Sequence, residues 1–192
     1  MTDADFVVRI LADTAALHER VAGRDVRPVV EAAATIVESL RRGGKVLLFG
    51  NGGSAADAQH AAADLVGRFR RARRALAAVA LTTDTSVLTA VGNDEGYERV
   101  FARQIEALGC EGDVAVAIST SGGSRNVIAA LEAARRQRLR TVAITGRDGG
   151  AAGRLADTHV NVPSDVTPRV QEVHRTLLHA ICELVERDVV DR

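Results

Sequence analysis

The sequence predicts a three-layer α/β protein, in which a five-stranded parallel sheet is covered by helices on both faces and preceded by two further helices. Three observations carry this. Short apolar runs alternate with longer amphipathic stretches, the rhythm of βα units around a buried parallel sheet. Two of those runs end in glycine- and hydroxyl-rich turns, GNGGS at 50–54 and STSGGS at 119–124, each leading straight into a helical segment. With 192 residues, 46% hydrophobic and 26% charged, the chain is long and apolar enough to bury one substantial core. We expect one domain over 1–192, with the helical pair of 1–43 belonging to it.

The elements follow in order. Residues 3–21 repeat apolar positions at helical spacing (Phe6, Val7, Ile10, Leu11, Leu17, Val21), and 26–42 do so again (Val29, Val30, Ala33, Ile36, Val37, Leu40) before Gly43-Gly44 stops them. Two leading helices exceed what a minimal α/β unit needs, so their apolar stripes should pack on the sheet or on another subunit. Residues 46–49 read as the first strand and the alanine-rich stretch after Ser54 as a helix. Residues 76–81 are a second strand, 82–91 a turn and short helix, 92–97 a polar loop bounded by glycines, and 98–108 an amphipathic helix. Residues 113–118 form the third strand, 125–137 a helix, 140–145 the fourth strand, 151–155 a short helix and 158–162 the fifth strand. An extended connection at 163–168 precedes the last helix, 170–189.

The two turns are where the chemistry concentrates. A strand that ends in glycines and opens a helix leaves backbone N–H groups at a positive helix end, where an anion can sit. In the first turn Ser54 is placed as helix N-cap or as an added hydroxyl donor. His60 and Asp64 lie four residues apart on the following helix, sharing a face that Arg68 continues. This turn has neither the P-loop nor the dinucleotide pattern, and a His–Asp pair at that spacing is equally a solvated ion pair. The second turn is more informative: Ser119, Thr120, Ser121 and Ser124 converge with two glycines on one helix N-terminus, with many donors and no carboxylate to repel an anion. Phosphate is the ligand that chemistry fits.

Charge excludes some classes. The 25 basic and 25 acidic residues cancel, which argues against broad attraction to nucleic acid or anionic membrane. The compact RFRRARR at 68–74 then reads as a solvated face with one or two phosphate contacts. Cys110 and Cys182 form no metal spacing and read as reduced thiols. Residues 1–10 have no signal-peptide pattern, and no apolar run is long enough to span a bilayer, so a cytoplasmic location is expected.

Four blocks, GNGGSAADAQH (50–60), GNDEGYERVFARQ (92–104), STSGGS (119–124) and QEVHRTLLH (171–179), resemble in order the sugar isomerase (SIS) domain family, and within it the phosphoheptose isomerases. The resemblance covers nearly the whole chain, including the leading helices. It implies a flavodoxin-like SIS fold and a homotetramer with active sites at subunit interfaces. The implied activity converts sedoheptulose 7-phosphate to D-glycero-D-manno-heptose 7-phosphate. By the family pattern Asn51, Gly52, Gly53, Ser54, Asn93 and Asp94 touch substrate and Gln171 contacts the sugar, while Ser119, Thr120, Ser121 and Ser124 hold the phosphate. The implied acid/base pair falls on Asp64 and His179, and an implied zinc site on His60, Asp64, Gln171 and His179.

Two features stand apart from the family pattern. Asp64 occupies the family's glutamate position, one methylene shorter. Gln171 and His179 are eight residues apart, roughly 12 Å along a regular helix, so one ion joins both only if long side chains converge or two subunits contribute. The other reading left open is a non-catalytic SIS protein that binds a protein partner, in the manner of the replication-initiator-associating relatives, or that senses a sugar phosphate.

Overall fold

The computed structural model describes residues 1–190. Among them, five strands make one parallel sheet in the order β2-β1-β3-β4-β5, namely β1 (Val46–Gly50), β2 (Ala78–Ala80), β3 (Val114–Ser119), β4 (Arg140–Gly146) and β5 (Thr158–Val162). Side-chain alternation assigns each central strand to two cores at once. Val46 and Leu48 of β1 and Val114, Val116 and Ile118 of β3 face one core; Leu47, Phe49, Ala115 and Ala117 face the other. The first core is covered by α1 (Asp3–Ala22), α2 (Arg27–Arg41), α3 (Gly53–Val66) and α8 (Thr167–Val190), the second by α4 (Thr85–Asp94), α5 (Ala102–Leu108), α6 (Arg125–Arg136) and α7 (Gly150–Leu155). This is the expected three-layer architecture.

The order of strands brings the two polar turns to one place. From β1 the chain moves outward to β2, then returns across the sheet to β3, so the direction of winding reverses between β1 and β3. Crevices at such a reversal, at the carboxyl ends of the strands, are the usual binding place in open α/β sheets. Gly50 pairs with Ile118, so the two polar turns leave the sheet side by side there. At the opposite end, buried Asp113 accepts from the Lys45 amide at 2.9 Å, the Lys45 ammonium at 2.6 Å and the Cys110 amide at 2.9 Å, pinning where β1 and β3 begin. Lys45, which composition gave no reason to single out, is thus a structural anchor.

Several boundaries differ from expectation. The polar loop placed at 92–97 is partly helix: α4 runs through Gly92 to Asp94 and is capped by Glu95, and Gly96, with φ +87°, turns the chain into the next element. The helix expected over 98–108 is a single 3-10 turn (Tyr97–Arg99) followed by the shorter α5. The second strand is trimmed to Ala78–Ala80. Thr167 and Pro168 open α8 instead of belonging to the connection before it, consistent with proline's tolerance in a first helical turn. Among the described residues no helix is long and apolar enough to cross a membrane.

Candidate active site

The Ser119–Ser124 turn is assembled from its own residues. The Gly122 amide donates to the Ser119 hydroxyl at 3.2 Å, the Gly123 amide donates to Ser121 Oγ at 3.2 Å, and the Ser119 and Ser124 hydroxyls stand 3.3 Å apart. Gly122 has φ +62°, and a Cβ there would meet the Gly149 carbonyl oxygen at 2.0 Å; only glycine fits. Ser124 is the N-cap of α6, whose first-turn amides therefore face the turn.

Asn51 joins the first turn to this one. Its Nδ2 donates to Asn126 Oδ1 at 2.9 Å and its Oδ1 accepts from Asn126 Nδ2 at 2.8 Å. Asn126 lies in the first turn of α6 and was not singled out from sequence. The expected N-cap role of Ser54 falls instead to Gly52, and Ser54 is buried inside the first turn of α3. The cause is that the helix starts at Gly53, one residue before the serine. Arg68 lies beyond the last residue of α3, Val66, so it does not continue the His60–Asp64 face.

Helices α3 and α8 lie against each other and run the same way, which lines up a ladder of polar pairs. A Cβ on Gly53 would meet Gln171 Nε2 at 2.4 Å, so glycine is what lets Gln171 lie on the turn. One turn on, the half-exposed Arg175 donates to buried Asp57, at 2.7 Å from Nη2 and 3.1 Å from Nε. The next rung brings His60 Nε2 to 2.8 Å from His179 Nε2. Asp64 completes it, with Oδ2 at 3.5 Å from His60 Nε2 and 4.0 Å from His179 Nε2. That carboxylate oxygen is shielded from solvent and has no hydrogen-bond partner among the described residues, so it is held toward two imidazoles without being consumed by either.

His60, Asp64 and His179 each offer one ligand atom, all within 4.8 Å of one another, a donor set that fits a divalent metal ion. Two imidazoles and a carboxylate are ordinary zinc ligands, and nitrogens on one tetrahedral zinc stand about 3.4 Å apart, so the two rings need open only slightly. Gln171 rests at Gly53, two helical turns before His60 on α3, and so stands at the other end of the ladder.

Asn93 and Asp94 are exposed at the end of α4, where the Asn93 amide donates to Asp94 Oδ1 at 2.7 Å. Two contacts link the neighbouring residues to the turns: the Tyr97 hydroxyl donates to Asn51 Oδ1 at 3.4 Å, and Arg125, just after Ser124, donates to Glu98 at 2.8 Å. Below the ladder, Cys182 is buried, and burial together with nearby Asp64 pushes its thiol up to about 12; it packs as an inert side chain. His174 is fully buried, its Nε2 at 2.9 Å from the Thr145 carbonyl oxygen, and burial lowers its pKa. It bolts α8 to the end of β4.

The RFRRARR segment is the expected solvated face only in part: Arg68, Arg70, Arg71 and Arg74 are exposed, while Arg73 turns inward and the backbone is bound. Glu186 of α8, 1% exposed, accepts from the consecutive amides of Phe69, Arg70 and Arg71 at 3.0, 2.8 and 2.8 Å, and the Arg73 side chain is 3% exposed. A sequence signal existed: Leu178, Cys182 and Glu186 follow one another at four-residue spacing, so a carboxylate sits in an apolar row and demands a buried partner.

These features define a class. A family model described as SIS domain matches residues 11–146, so the chain is an SIS-domain protein. It is 55% identical over 166 residues to a phosphoheptose isomerase of Geobacter sp. (strain M21), covering 86% of each chain. It is 58% identical over 163 residues to that of Roseiflexus sp. (strain RS-1), covering 85% of this chain and 83% of the relative. The solved phosphoheptose isomerase of Neisseria gonorrhoeae aligns with a TM-score of 0.90 and 47% identity over 96% of this chain and 99% of that one. That of Francisella tularensis gives 0.93 and 36% over 97% and 100%. The chain belongs to the phosphoheptose isomerase family.

Proposed function

We propose that this enzyme interconverts sedoheptulose 7-phosphate and D-glycero-D-manno-heptose 7-phosphate through an enediol. The observation that carries the reading is the meeting of His60, Asp64 and His179 where α3 and α8 adjoin, on a helix that itself issues from the glycine turn at the sheet's switch point. A partner-binding or sensing protein would need the anion turn but not a carboxylate held unpaired beside two imidazoles.

The substrate phosphate lies on Ser119, Thr120, Ser121 and Ser124 and the α6 N-terminus, and its binding energy fixes the reacting carbons. Asn51, Gly52, Gly53, Ser54, Asn93, Asp94 and Gln171 take the sugar hydroxyls. From the ketose, Asp64 removes a C1 proton as the C2 carbonyl oxygen gains one from His179, giving the 1,2-enediol. The O1 proton then leaves to His179 while C2 accepts a proton from Asp64, giving the aldose. A zinc ion held by His60, Asp64 and His179 would supply Lewis-acid polarisation of a substrate oxygen. The exposed apolar side chains of α1, Phe6, Val7, Val8 and Leu11, support a homotetramer, in which they would be covered. A cytoplasmic setting suits two free cysteines.

Incubation with sedoheptulose 7-phosphate in deuterated water tests the reading: we expect aldose carrying solvent deuterium at C2. Asp64→Asn and His179→Ala should lower turnover by about 10²- to 10⁴-fold while inorganic phosphate binds as before. A wild-type chain that neither forms aldose nor exchanges label overturns it.

A further inference from the structure

Two charged side chains that take no part in the chemistry above are buried where α3 ends. Arg73, in the connection between α3 and β2, donates from Nη2 to the Asp64 carbonyl at 2.6 Å, and from Nη1 to the carbonyls of Leu65 at 2.9 Å, Gly67 at 3.2 Å and Arg74 at 3.0 Å. The Asp64 and Leu65 carbonyls belong to the last turn of α3, which no intrahelical amide satisfies and where a cation is favoured. Arg73 Nε lies 3.2 Å from Glu186 Oε1, and Glu186 gathers the three amides of residues 69–71. Arg70 adds a surface bridge to Glu183 at 2.6 Å. Burial on its own would raise the Glu186 carboxyl, yet the three amides and the Arg73 guanidinium leave it below the ordinary glutamate value, so it is held ionised.

We propose that the Arg73–Glu186 pair is a positioning clamp for the acid/base cluster, fixing the end of α3 that carries Asp64 against the stretch of α8 that carries His179. The inference rests on the reading of His60, Asp64 and His179 as the reacting groups. It also bears on the short carboxylate: the clamp grips the Asp64 peptide itself, and so sets the point from which that side chain reaches. A misplacement near 1 Å costs about a hundredfold in rate. Neither clamp residue touches substrate; both act through Asp64.

The test uses Arg73→Lys, which keeps the buried charge but cannot bond several carbonyls, with Glu186→Gln as a second variant from the other side of the clamp. Thermal unfolding shows that each variant is folded at the assay temperature. Positioning predicts a kcat for sedoheptulose 7-phosphate lower by about tenfold or more with KM within about twofold, because the phosphate turn is untouched. Adding Asp64→Glu to Arg73→Lys should recover part of that loss, beyond anything Asp64→Glu does to the native chain, since the longer side chain regains the lost reach. Lowered melting temperatures with kcat unchanged, or strictly independent effects of the two substitutions, overturn the clamp while leaving the isomerase reading intact. A wild-type chain without turnover fails that reading instead.

Discussion

The Ser119–Ser124 turn, where we place the phosphate, and the α3–α8 seam, where we place the proton transfers, are built in opposite ways. The turn is local: the hydrogen bonds within it span two, three and five residues. The seam is remote in sequence, for His60 meets His179 across 119 positions, Asp57 meets Arg175 across 118 and Glu186 meets Phe69 across 117. A local anion cradle is specified by which residues follow which. A seam is specified by the packing of two whole helices, and its reactive groups are only as well placed as that packing. The turn should therefore fail by losing affinity, the seam by losing rate.

The sharpest way to break the turn is Gly122→Ala. A residue with a side chain is strained at φ +62°, and its Cβ would stand 2.0 Å from the Gly149 carbonyl oxygen, so the turn must rearrange at a cost on the order of 1–3 kcal/mol. We expect the dissociation constant for inorganic phosphate, and KM for the sugar phosphate, to rise by about tenfold or more. The seam should be left intact, so kcat at saturation should fall far less. A variant with wild-type KM and a collapsed kcat would invert the comparison.

The helix α8 that forms one side of the seam has a handle of its own in pH. Burial lowers the pKa of His174, which is neutral in the folded protein. The unfolded chain, with a histidine near 6.5, then binds more protons, so stability is fully present above about pH 6.5 and declines as pH falls through that value toward the depressed folded one. His159 is lowered in the same direction by burial. Glu186, depressed on balance by the amides and Arg73 that outweigh its burial, adds a loss beginning only as pH drops through the glutamate range. Unfolding free energies measured from pH 7.5 to 5 should fall on the acid side, and His174→Gln should flatten part of that slope. A slope unchanged by the substitution would remove His174 from the account.

How far the sequence reached follows the same division. Strands, layers and both polar turns were legible because each is written in neighbouring residues: apolar runs, glycines, hydroxyls. His60 and Asp64 were seen to share a face because helical spacing is local. What was missed depends on distant partners. Ser54 looked like a cap because capping residues are recognised by type, but the register of α3 was set by Gly53. Gly92 looked like a stop, yet Gly96 is the glycine with positive φ. Four arginines of 68–74 are exposed as expected, but nothing nearby shows that Glu186 will arrive to bind the amides of residues 69–71 or that Arg73 will turn inward beside it.

The smallest predicted effect lies at a joint between the two regions. Asn51 and Asn126 exchange two amide hydrogen bonds, at 2.9 and 2.8 Å, tying the glycine turn that opens α3 to the helix on whose N-terminus we place the phosphate. Asn126→Ala removes both bonds and leaves Asn51, only partly buried, able to find water, so the cost should be about 1 kcal/mol of stability. If the joint only braces the scaffold, kcat and KM should each stay within about twofold of the native values, a fraction of a kcal/mol each. If it sets the distance between phosphate and seam, kcat should drop while inorganic phosphate binds unchanged, because the anion is still held but the carbons are delivered to the wrong place. We expect the second pattern in muted form, a loss in kcat of about threefold to tenfold, read from steady-state kinetics beside a phosphate titration. A fall in phosphate affinity with kcat intact would place Asn126 wholly within the turn and leave the two regions without a mechanical link through it.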